Sequence, residues 1–151
     1  MIIIKPPTTL NKIPSIFCAG SIENGIAENW QQVVEDELLN KNVIIYNPRR
    51  NDWDSDWIQS IHNTEFKCQV DWELDNLEIS DLIIMYFDPK TTSKISLLEL
   101  GLYATSKKIV VCCPDGYCCK GNVDIVCNRN NIPMYETLDD MIDYIIKKLN
   151  L

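Results

Sequence analysis

Residues 82–87, with the sequence LIIMYF, form a near-continuous apolar run that is followed at once by a polar loop and a helical pattern. Such a run is typical of a strand that is buried on both faces, as the strands of parallel sheets are. The loop, residues 88–94, contains a proline and three hydroxyl side chains. From Ile95 to Ser106 the spacing of apolar residues predicts a helix. The chain must therefore enclose a central strand and pack a helix against it.

Glu99 lies in the middle of this predicted helix, on what the spacing indicates is its apolar stripe. The other members of the stripe are Ile95, Leu98, Leu102 and Ser106. Gly101, close by, leaves room for a neighbouring element to approach. Burial disfavours the charged form of a carboxyl group, so its pKa rises unless a partner compensates. Glu99 is therefore either a functional group or a structural residue whose carboxylate is satisfied by a tyrosine or a backbone N–H.

The same alternation of strand and helix patterns runs through the rest of the chain. Strands are predicted at residues 13–18, 42–46, 82–87 and 107–113, and a fifth at either 121–127 or 132–135. Helices are predicted at residues 27–40, from about 57 with a break near 62–63, at 95–106, and after Thr137. This alternation predicts an α/β fold with helices on both faces of a mostly parallel, five-stranded sheet of flavodoxin-like order 2-1-3-4-5. We expect residues 13–151 to form one domain behind an N-terminal extension, residues 1–12.

The charge balance and the cysteines narrow the classes of function. The 151 residues include 14 basic and 22 acidic side chains, for a net charge of −8, and no block of Lys or Arg. This balance argues against nucleic acid polymers and anionic membrane surfaces as partners. The chain start resembles neither a signal peptide nor a membrane span, and the seven cysteines suit a reducing compartment, so we expect a cytoplasmic protein. With a single histidine and no C-x-x-C spacing, we expect no metal and no cofactor.

Polar side chains follow the predicted strands at their carboxyl ends, the edge at which parallel sheets bind ligands. The candidates there are Gly20, Ser21, Asn47, Arg49, Asp52, Trp53, Asp88 and Ser93. Residues 47–54, NPRRNDWD, fit an ordered binding loop and a solvated loop with local ion pairs about equally. Trp53 and Trp57 fit either core positions or a surface that stacks on a base. The sequence therefore predicts a small-ligand site at this edge.

Glu73 supplies a second carboxylate on a predicted core-facing stripe. Its companions on that stripe are Phe66, Val70, Leu74 and Leu77. Two such carboxylates near one sheet edge favour chemistry in which one is an ionised nucleophile and the other a protonated acid. Because a single histidine is a poor basis for a Ser-His-Asp set, and no P-loop or H-E-x-x-H motif is present, cleavage of a glycosidic bond is the natural class.

Taken in order, several segments resemble the nucleoside 2-deoxyribosyltransferase superfamily, in particular its short deoxyribosyltransferase-like branch. The matching segments are FCAGSI at 17–22, NPRRNDWD at 47–54, QVDWEL at 69–74, Ser80-Asp81, ISLLELG at 95–101 and KGN at 120–122. They extend over roughly residues 16–127, most of the chain. The resemblance implies a flavodoxin-like fold and exchange of the base on a 2′-deoxyribonucleoside.

The resemblance also implies roles for individual residues. Glu99, in the Glu-Leu-Gly motif, would be the nucleophile that attacks the anomeric carbon and forms a covalent deoxyribosyl ester. Glu73 stands where the family usually has an Asp, and would donate a proton to the base. Ser93, six residues before Glu99, would contact the sugar hydroxyls, and Gly20 and Ser21 would line the sugar pocket.

Partners follow from the same resemblance. Asn122 resembles a residue that completes the neighbouring subunit's site in some members. Members commonly form dimers or hexamers, so we expect a homo-oligomer. The expected small-molecule partners are a deoxynucleoside, or a deoxynucleotide, and a free nucleobase.

Three other functions stay open at this stage. One branch of the superfamily hydrolyses deoxynucleoside 5′-monophosphates, using an Arg and paired glycines in the first turn. Here that turn reads Ile22-Glu23-Asn24-Gly25, and Glu23 should repel a dianion by about 1 kcal/mol, unless Arg49 or Arg50 compensates. The second alternative is a non-catalytic nucleoside- or nucleotide-binding module. The third is cleavage of the nicotinamide bond of NAD.

Overall fold

The computed structural model describes residues 13–50 and 56–151, and its centre is a five-stranded parallel sheet. The strands are β1 (Ser15–Gly20), β2 (Ile44–Tyr46), β3 (Leu82–Tyr86), β4 (Ile109–Cys112) and β5 (Met134–Tyr135). They lie in the order β2-β1-β3-β4-β5, and every neighbouring pair is parallel. The prediction of an α/β fold with sheet order 2-1-3-4-5 is confirmed.

Helices cover both faces of the sheet. They are α1 (Trp30–Leu38), α2 (Thr64–Ile79), α3 (Lys94–Tyr103), α4 (Lys120–Asn130) and α5 (Leu138–Leu149), with a short 3-10 helix at Glu23–Gly25. On one face, buried side chains of α1 and α5 pack on the sheet; on the other, those of α2, α3 and α4 do. Side chains of β3 pack on both faces of the sheet. Ile83 and Met85 pack in the layer of α2, α3 and α4, whereas Ile84 and Tyr86 pack in the layer of α1 and α5.

Three element predictions need correction. Residues 121–127 belong to helix α4, so the strand alternative at 132–135 is the correct one, and β5 is only Met134–Tyr135. Helix α2 does not begin near residue 57. It begins at Thr64, because the side chain of Asn63 caps it by accepting a hydrogen bond from the backbone N–H of Phe66 at 2.8 Å. Helix α1 begins later than predicted for the same reason, with Asn29 as its cap.

The predicted buried stripe of α3 is wrong, although Glu99 is buried. Ile95, Leu98 and Leu102 are 61%, 60% and 58% exposed. The side of α3 that faces the molecule instead carries Ser96, Glu99 and Leu100. The helix is thus turned so that part of its polar side points inward, which leaves an outer apolar strip formed by Ile95, Leu98 and Leu102. In α2, Leu74 is likewise exposed rather than part of the buried stripe.

Gly20, the last residue of β1, leaves no room for a side chain against the backbone of β3. Its φ is +130°, and a Cβ built on it would lie 2.5 Å from the backbone oxygen and 2.6 Å from the backbone nitrogen of Tyr86. Gly20→Ala should therefore lower the free energy of unfolding by about 3 kcal/mol or more, since both backbone strain and overpacking oppose it. Urea unfolding measures this loss.

Gly121→Ala is the matched control for that substitution. Gly121 lies in α4, and a Cβ added there meets none of the described residues within 4 Å. Ala is the better helix former, so stability should stay the same or rise by up to about 1 kcal/mol. Equal stability of the Gly20→Ala and Gly121→Ala variants would contradict the close approach of β1 and β3.

Candidate active site

The carboxyl edge of the sheet gathers most of the residues that the sequence singled out. Gly20 ends β1 and Ser21 follows it, while Asn47 and Arg49 follow β2. Beyond β3 come Asp88 and Ser93, the latter being the residue before α3. Asp52 and Trp53 lie outside the described residues.

Two carboxyl groups, Glu73 of α2 and Glu99 of α3, interact at this edge. Glu99 is only 7% exposed, and its carboxylate has no hydrogen-bond donor among residues 13–50 and 56–151. Burial, and next the negative charge of Glu73, raise the pKa of Glu99 to about 8. Burial also raises the pKa of Glu73, against the opposing effect of a hydrogen bond from Gln69. Groups that interact in this way influence each other's titration, and the raised pKa of Glu99 keeps its carboxyl group largely protonated around neutral pH.

Gln69 connects Glu73 to the loop after β2. Its Nε2 donates to Oε1 of Glu73 at 2.8 Å, and it also lies 3.4 Å from the backbone oxygen of Pro48. Its Oε1 accepts a hydrogen bond from Arg50 at 3.2 Å. The Gln69 amide therefore fixes the rotamer of the Glu73 carboxylate relative to the loop. Gln69 belongs to the segment QVDWEL that carries the family resemblance, but the sequence pattern did not predict its hydrogen bond to Glu73.

A cleft of about 330 Å³ opens beside this amide. It is lined by Asn47, Pro48, Arg50, Cys68, Gln69 and Trp72. Trp72 is 40% exposed and packs against Phe17 and Tyr46, with ring centroids 6.1 Å and 6.4 Å away. The cleft therefore offers an aromatic surface next to a carboxyl group, which suits a planar heterocycle. The guanidinium of Arg50 lies over the ring of Trp57, with its Cζ 5.4 Å from the ring centroid.

Three hydroxyl groups meet where α3 begins. Thr91 Oγ1 lies 2.9 Å from Ser21 Oγ and 2.7 Å from Ser93 Oγ, and the two serine hydroxyls also contact each other. The backbone N–H of Asp88 donates to Ser21 Oγ at 2.8 Å. This hydroxyl cluster, Ser21, Thr91 and Ser93, fastens the loop after β1 to the loop after β3 and fixes the start of the helix that carries Glu99. Ser93 adopts a left-handed conformation there, with φ +46°.

Two other predicted site residues, Asp88 and Arg49, make hydrogen bonds to other groups of the protein. The Asp88 carboxylate accepts from the backbone N–H groups of Glu28 and Lys90, at 2.9 Å and 2.8 Å. The guanidinium of Arg49 donates to the side chain of Gln31 at 3.0 Å and to two backbone oxygens that precede α1. These contacts hold the rim of the site together. A direct contact of Asp88 or Arg49 with a ligand stays a prediction.

Asn47 and Asn122 complete the set of predicted residues. Asn47 Nδ2 donates to Glu35 at 2.7 Å, and its Oδ1 accepts from the backbone N–H of Arg49 at 2.9 Å. Asn122 is exposed in α4 and lines a separate, smaller cleft against α3, beside Leu97, Leu100 and Gly101. The structure therefore does not bring Asn122 into the cleft beside Glu73.

Comparison with known proteins identifies the family. The family profile described as "Nucleoside 2-deoxyribosyltransferase like" matches residues 13–117, over two thirds of the chain. The chain belongs to this family. The matched range includes both Glu73 and Glu99, whereas Asn122 lies beyond it. Membership gives the protein a nucleoside 2-deoxyribosyltransferase-like function at the level of the family.

A solved structure supports the fold of this family member. The crystal structure of a conserved protein from Enterococcus faecalis V583 is similar with a TM-score of 0.64 at 15% identity, and the match covers 91% of this chain and 99% of that one. At this identity the likeness shows the fold alone. None of the curated protein sequences is significantly similar to the chain. Within the described ranges, no helix is long and apolar enough to cross a membrane.

Proposed function

We propose that this family member cleaves the N-glycosidic bond of 2′-deoxyribonucleosides and transfers the deoxyribosyl group to a second base. The observation that carries the proposal is the carboxyl pair at the ligand-binding edge of the sheet, formed by the buried Glu99 and the partly buried Glu73. A buried carboxyl group beside a second one is costly to stability and has no evident structural use here, since Glu99 lacks a donor among the described residues. A non-catalytic binding module would not need it.

The reaction is a double displacement at the anomeric carbon. The ionised carboxylate of Glu99 forms a bond to C1′, while the C1′–N bond breaks and its electron pair goes to the departing base. Glu73 gives its proton to that base. In the second half, an acceptor base gives a proton to Glu73 and attacks C1′, and Glu99 leaves as a carboxylate.

The titration of the pair fits this sequence of steps. The productive form has one proton and one charge, and the raised pKa of Glu99 means that the site holds a proton around neutral pH. In the empty site burial keeps this proton on Glu99 around neutral pH. Attack on C1′ thus requires the proton to pass to Glu73, and the positive charge that develops on the sugar favours this transfer by stabilising the Glu99 carboxylate.

The cleft beside Gln69 is the proposed site of the base. It opens next to Glu73, the proposed proton donor, and Trp72 gives it an aromatic wall. The sugar would then lie between Glu99 and the start of α3, with Ser93 near its hydroxyls. Asp52 and Trp53 remain candidate contacts for the base.

Product analysis tests the proposal. The purified protein is incubated with a 2′-deoxynucleoside, with and without a second free base, and the products are separated by chromatography. A new deoxynucleoside that forms only with the acceptor base is the expected result. Free base and deoxyribose alone would indicate a hydrolase, and unchanged starting material across several bases would favour the binding module.

We also propose that the outer apolar strip of α3 joins two copies of the chain. Its three residues, Ile95, Leu98 and Leu102, are more than half exposed. A Cβ added to Gly101, beside them, would meet no atom of residues 13–50 and 56–151 within 4 Å, so these residues leave the predicted room beside this glycine unfilled. The C-terminal helix α5 is a poorer candidate, because Met141, Ile142 and Ile145 are buried in the core.

Leu98→Lys should weaken this association. A charge placed in an apolar interface loses its hydration, so the oligomer should dissociate to monomers at micromolar protein. Light scattering after size-exclusion chromatography measures the mass. Leu39→Lys is the control, since Leu39 is 78% exposed and follows α1, away from the strip. An oligomer that persists in Leu98→Lys, or a wild-type monomer, would rule out this interface.

A further inference from the structure

Glu23 makes contacts that the proposed reaction does not use. It lies in the loop after β1, and its Oε1 accepts three hydrogen bonds from the two residues that precede α3. The donors are the backbone N–H of Thr92 at 2.7 Å, the Thr92 hydroxyl at 2.7 Å and the backbone N–H of Ser93 at 2.6 Å. Glu23 reaches them from a left-handed backbone conformation, with φ +41°, that is uncommon for a residue other than glycine.

The three donors are of the kind that bind an anionic oxygen. Backbone N–H groups at the start of a helix, together with a hydroxyl, form a common binding site for phosphate oxygens. Here the carboxylate of Glu23 already occupies them. Burial raises the pKa of Glu23, but the hydrogen bonds from Thr92 and Ser93 and the charge of Lys94 outweigh this and lower it. Glu23 is therefore a firmly ionised carboxylate, an internal anion at the start of the helix that carries Glu99.

The contact of Glu23 with Thr92 and Ser93 affects which substrates can bind. Under the proposed function, the sugar lies between Glu99 and Ser93, so one of its hydroxyl-bearing ends faces the start of α3. A free hydroxyl there can donate a hydrogen bond to Glu23. A phosphate cannot, because its oxygens and the Glu23 carboxylate are all acceptors and carry the same sign of charge. Both arginines after β2 have partners elsewhere: Arg49 donates to Gln31 and to backbone oxygens, and Arg50 donates to Gln69.

We infer that Glu23 determines specificity by occupying the anion-binding groups of Thr92 and Ser93, so that the enzyme accepts 2′-deoxynucleosides and rejects their 5′-monophosphates. This inference rests on the proposed function. It names the substrate class of the same site and assigns the discrimination to one side chain. Removing the charge repulsion and freeing the three donors for a phosphate oxygen should together change selectivity by about 10²-fold.

Glu23→Gln is the test. Its amide keeps the size of the side chain but removes the charge, so its oxygen is a weaker acceptor that a phosphate oxygen can displace from Thr92 and Ser93. Its N–H group can also donate to the phosphate. The common 2′-deoxynucleosides and their 5′-monophosphates are assayed as matched pairs. The ratio of kcat/KM for nucleoside over monophosphate should fall about 10²-fold relative to wild type, mainly through a lower KM for the monophosphate. Glu37→Gln, an exposed change in the last turn of α1, should leave the ratio unchanged.

A binding measurement separates this inference from the proposed reaction. Inorganic phosphate is titrated into wild type and Glu23→Gln by calorimetry, which requires no turnover. We expect clearly tighter binding to the variant, and Glu23→Gly, which relieves the positive φ, serves if Glu23→Gln folds poorly. Equal phosphate affinity in wild type and variants would overturn the inference, as would an unchanged selectivity ratio. Absence of any deoxynucleoside cleavage by wild type would instead overturn the proposed function, and the phosphate titration would still decide the role of Glu23.

Discussion

Glu99→Gln should reduce turnover of deoxynucleosides by at least about 10³-fold while the fold stays intact. The amide is close to the carboxylate in size but cannot form the ester to C1′, so the double displacement has no first step. Initial rates at saturating substrate measure the loss. Asp143→Asn, an exposed change on α5, removes one negative charge as well and should keep wild-type rates.

The same variant should gain stability at alkaline pH. The pKa of Glu99 is raised from 4.5 to about 8 in the folded protein, so the native state binds more protons than the unfolded state between these values. The stability of wild type should thus decline as pH rises from about 5 to about 8. Removing the ionisable group should therefore raise the free energy of unfolding at alkaline pH by on the order of 4 kcal/mol. The unpaired amide of the variant offsets about 1–3 kcal/mol of this increase.

Urea unfolding of wild type and Glu99→Gln at pH 5 and pH 8.5 tests this. The variant should be the more stable of the two at pH 8.5, and the difference should shrink or reverse at pH 5. An active Glu99→Gln enzyme would remove the mechanism outright. A stability difference that does not depend on pH would show that Glu99 titrates normally and is not part of a buried pair.

Glu73→Gln should lower kcat/KM by about 10²- to 10⁴-fold and change the shape of the pH–rate profile. In wild type the pair is active with one proton, so the rate should fall at alkaline pH as that proton is lost, near the pKa of about 8. The variant has no acid to lose, so this alkaline limb should disappear. Because the charge of Glu73 no longer opposes ionisation of Glu99, the pKa of Glu99 should also decrease.

Asp75→Asn is the matched control, since Asp75 is an exposed carboxyl group on the same helix. It should leave both the rate and the alkaline limb unchanged. Substrates that differ in leaving group add a second criterion: bases that depart easily need little protonation, so they should be affected least by Glu73→Gln. A full alkaline limb in that variant would show that another group donates the proton.

The order of the sheet was predictable because each buried strand has its own signal in the sequence. The run at 82–87 has no charged side chain, and Tyr86 and Ile83 do pack in opposite layers, as a strand covered on both faces requires. The outward face of α3 was not predictable from spacing. Periodicity assumes that the apolar side of a helix faces the core, so it predicts that Leu98 is buried and Ser96 exposed. The structure shows the opposite, because the inward side of α3 carries the carboxylate of the proposed site.

The candidate site was predictable at the level of residue types and their common edge. Glu73 and Glu99 follow from periodicity together with the resemblance. The contact of Glu23 with Thr92 joins residues 69 positions apart and depends on the conformation of two loops, which periodicity does not describe. The same is true of Gln69, whose amide meets Glu73 one helical turn away but meets Pro48 only through the tertiary fold.

Trapping the covalent intermediate tests the central claim most directly. The enzyme is mixed with a deoxynucleoside in the absence of an acceptor base, quenched with acid during turnover, digested and analysed by peptide mass spectrometry. We expect the peptide that contains Glu99 to gain the mass of one deoxyribosyl group, and the adduct to disappear when an acceptor base is added before the quench. Turnover with no adduct on that peptide, or an adduct on the peptide that contains Glu73, would contradict the assignment of Glu99 as the nucleophile.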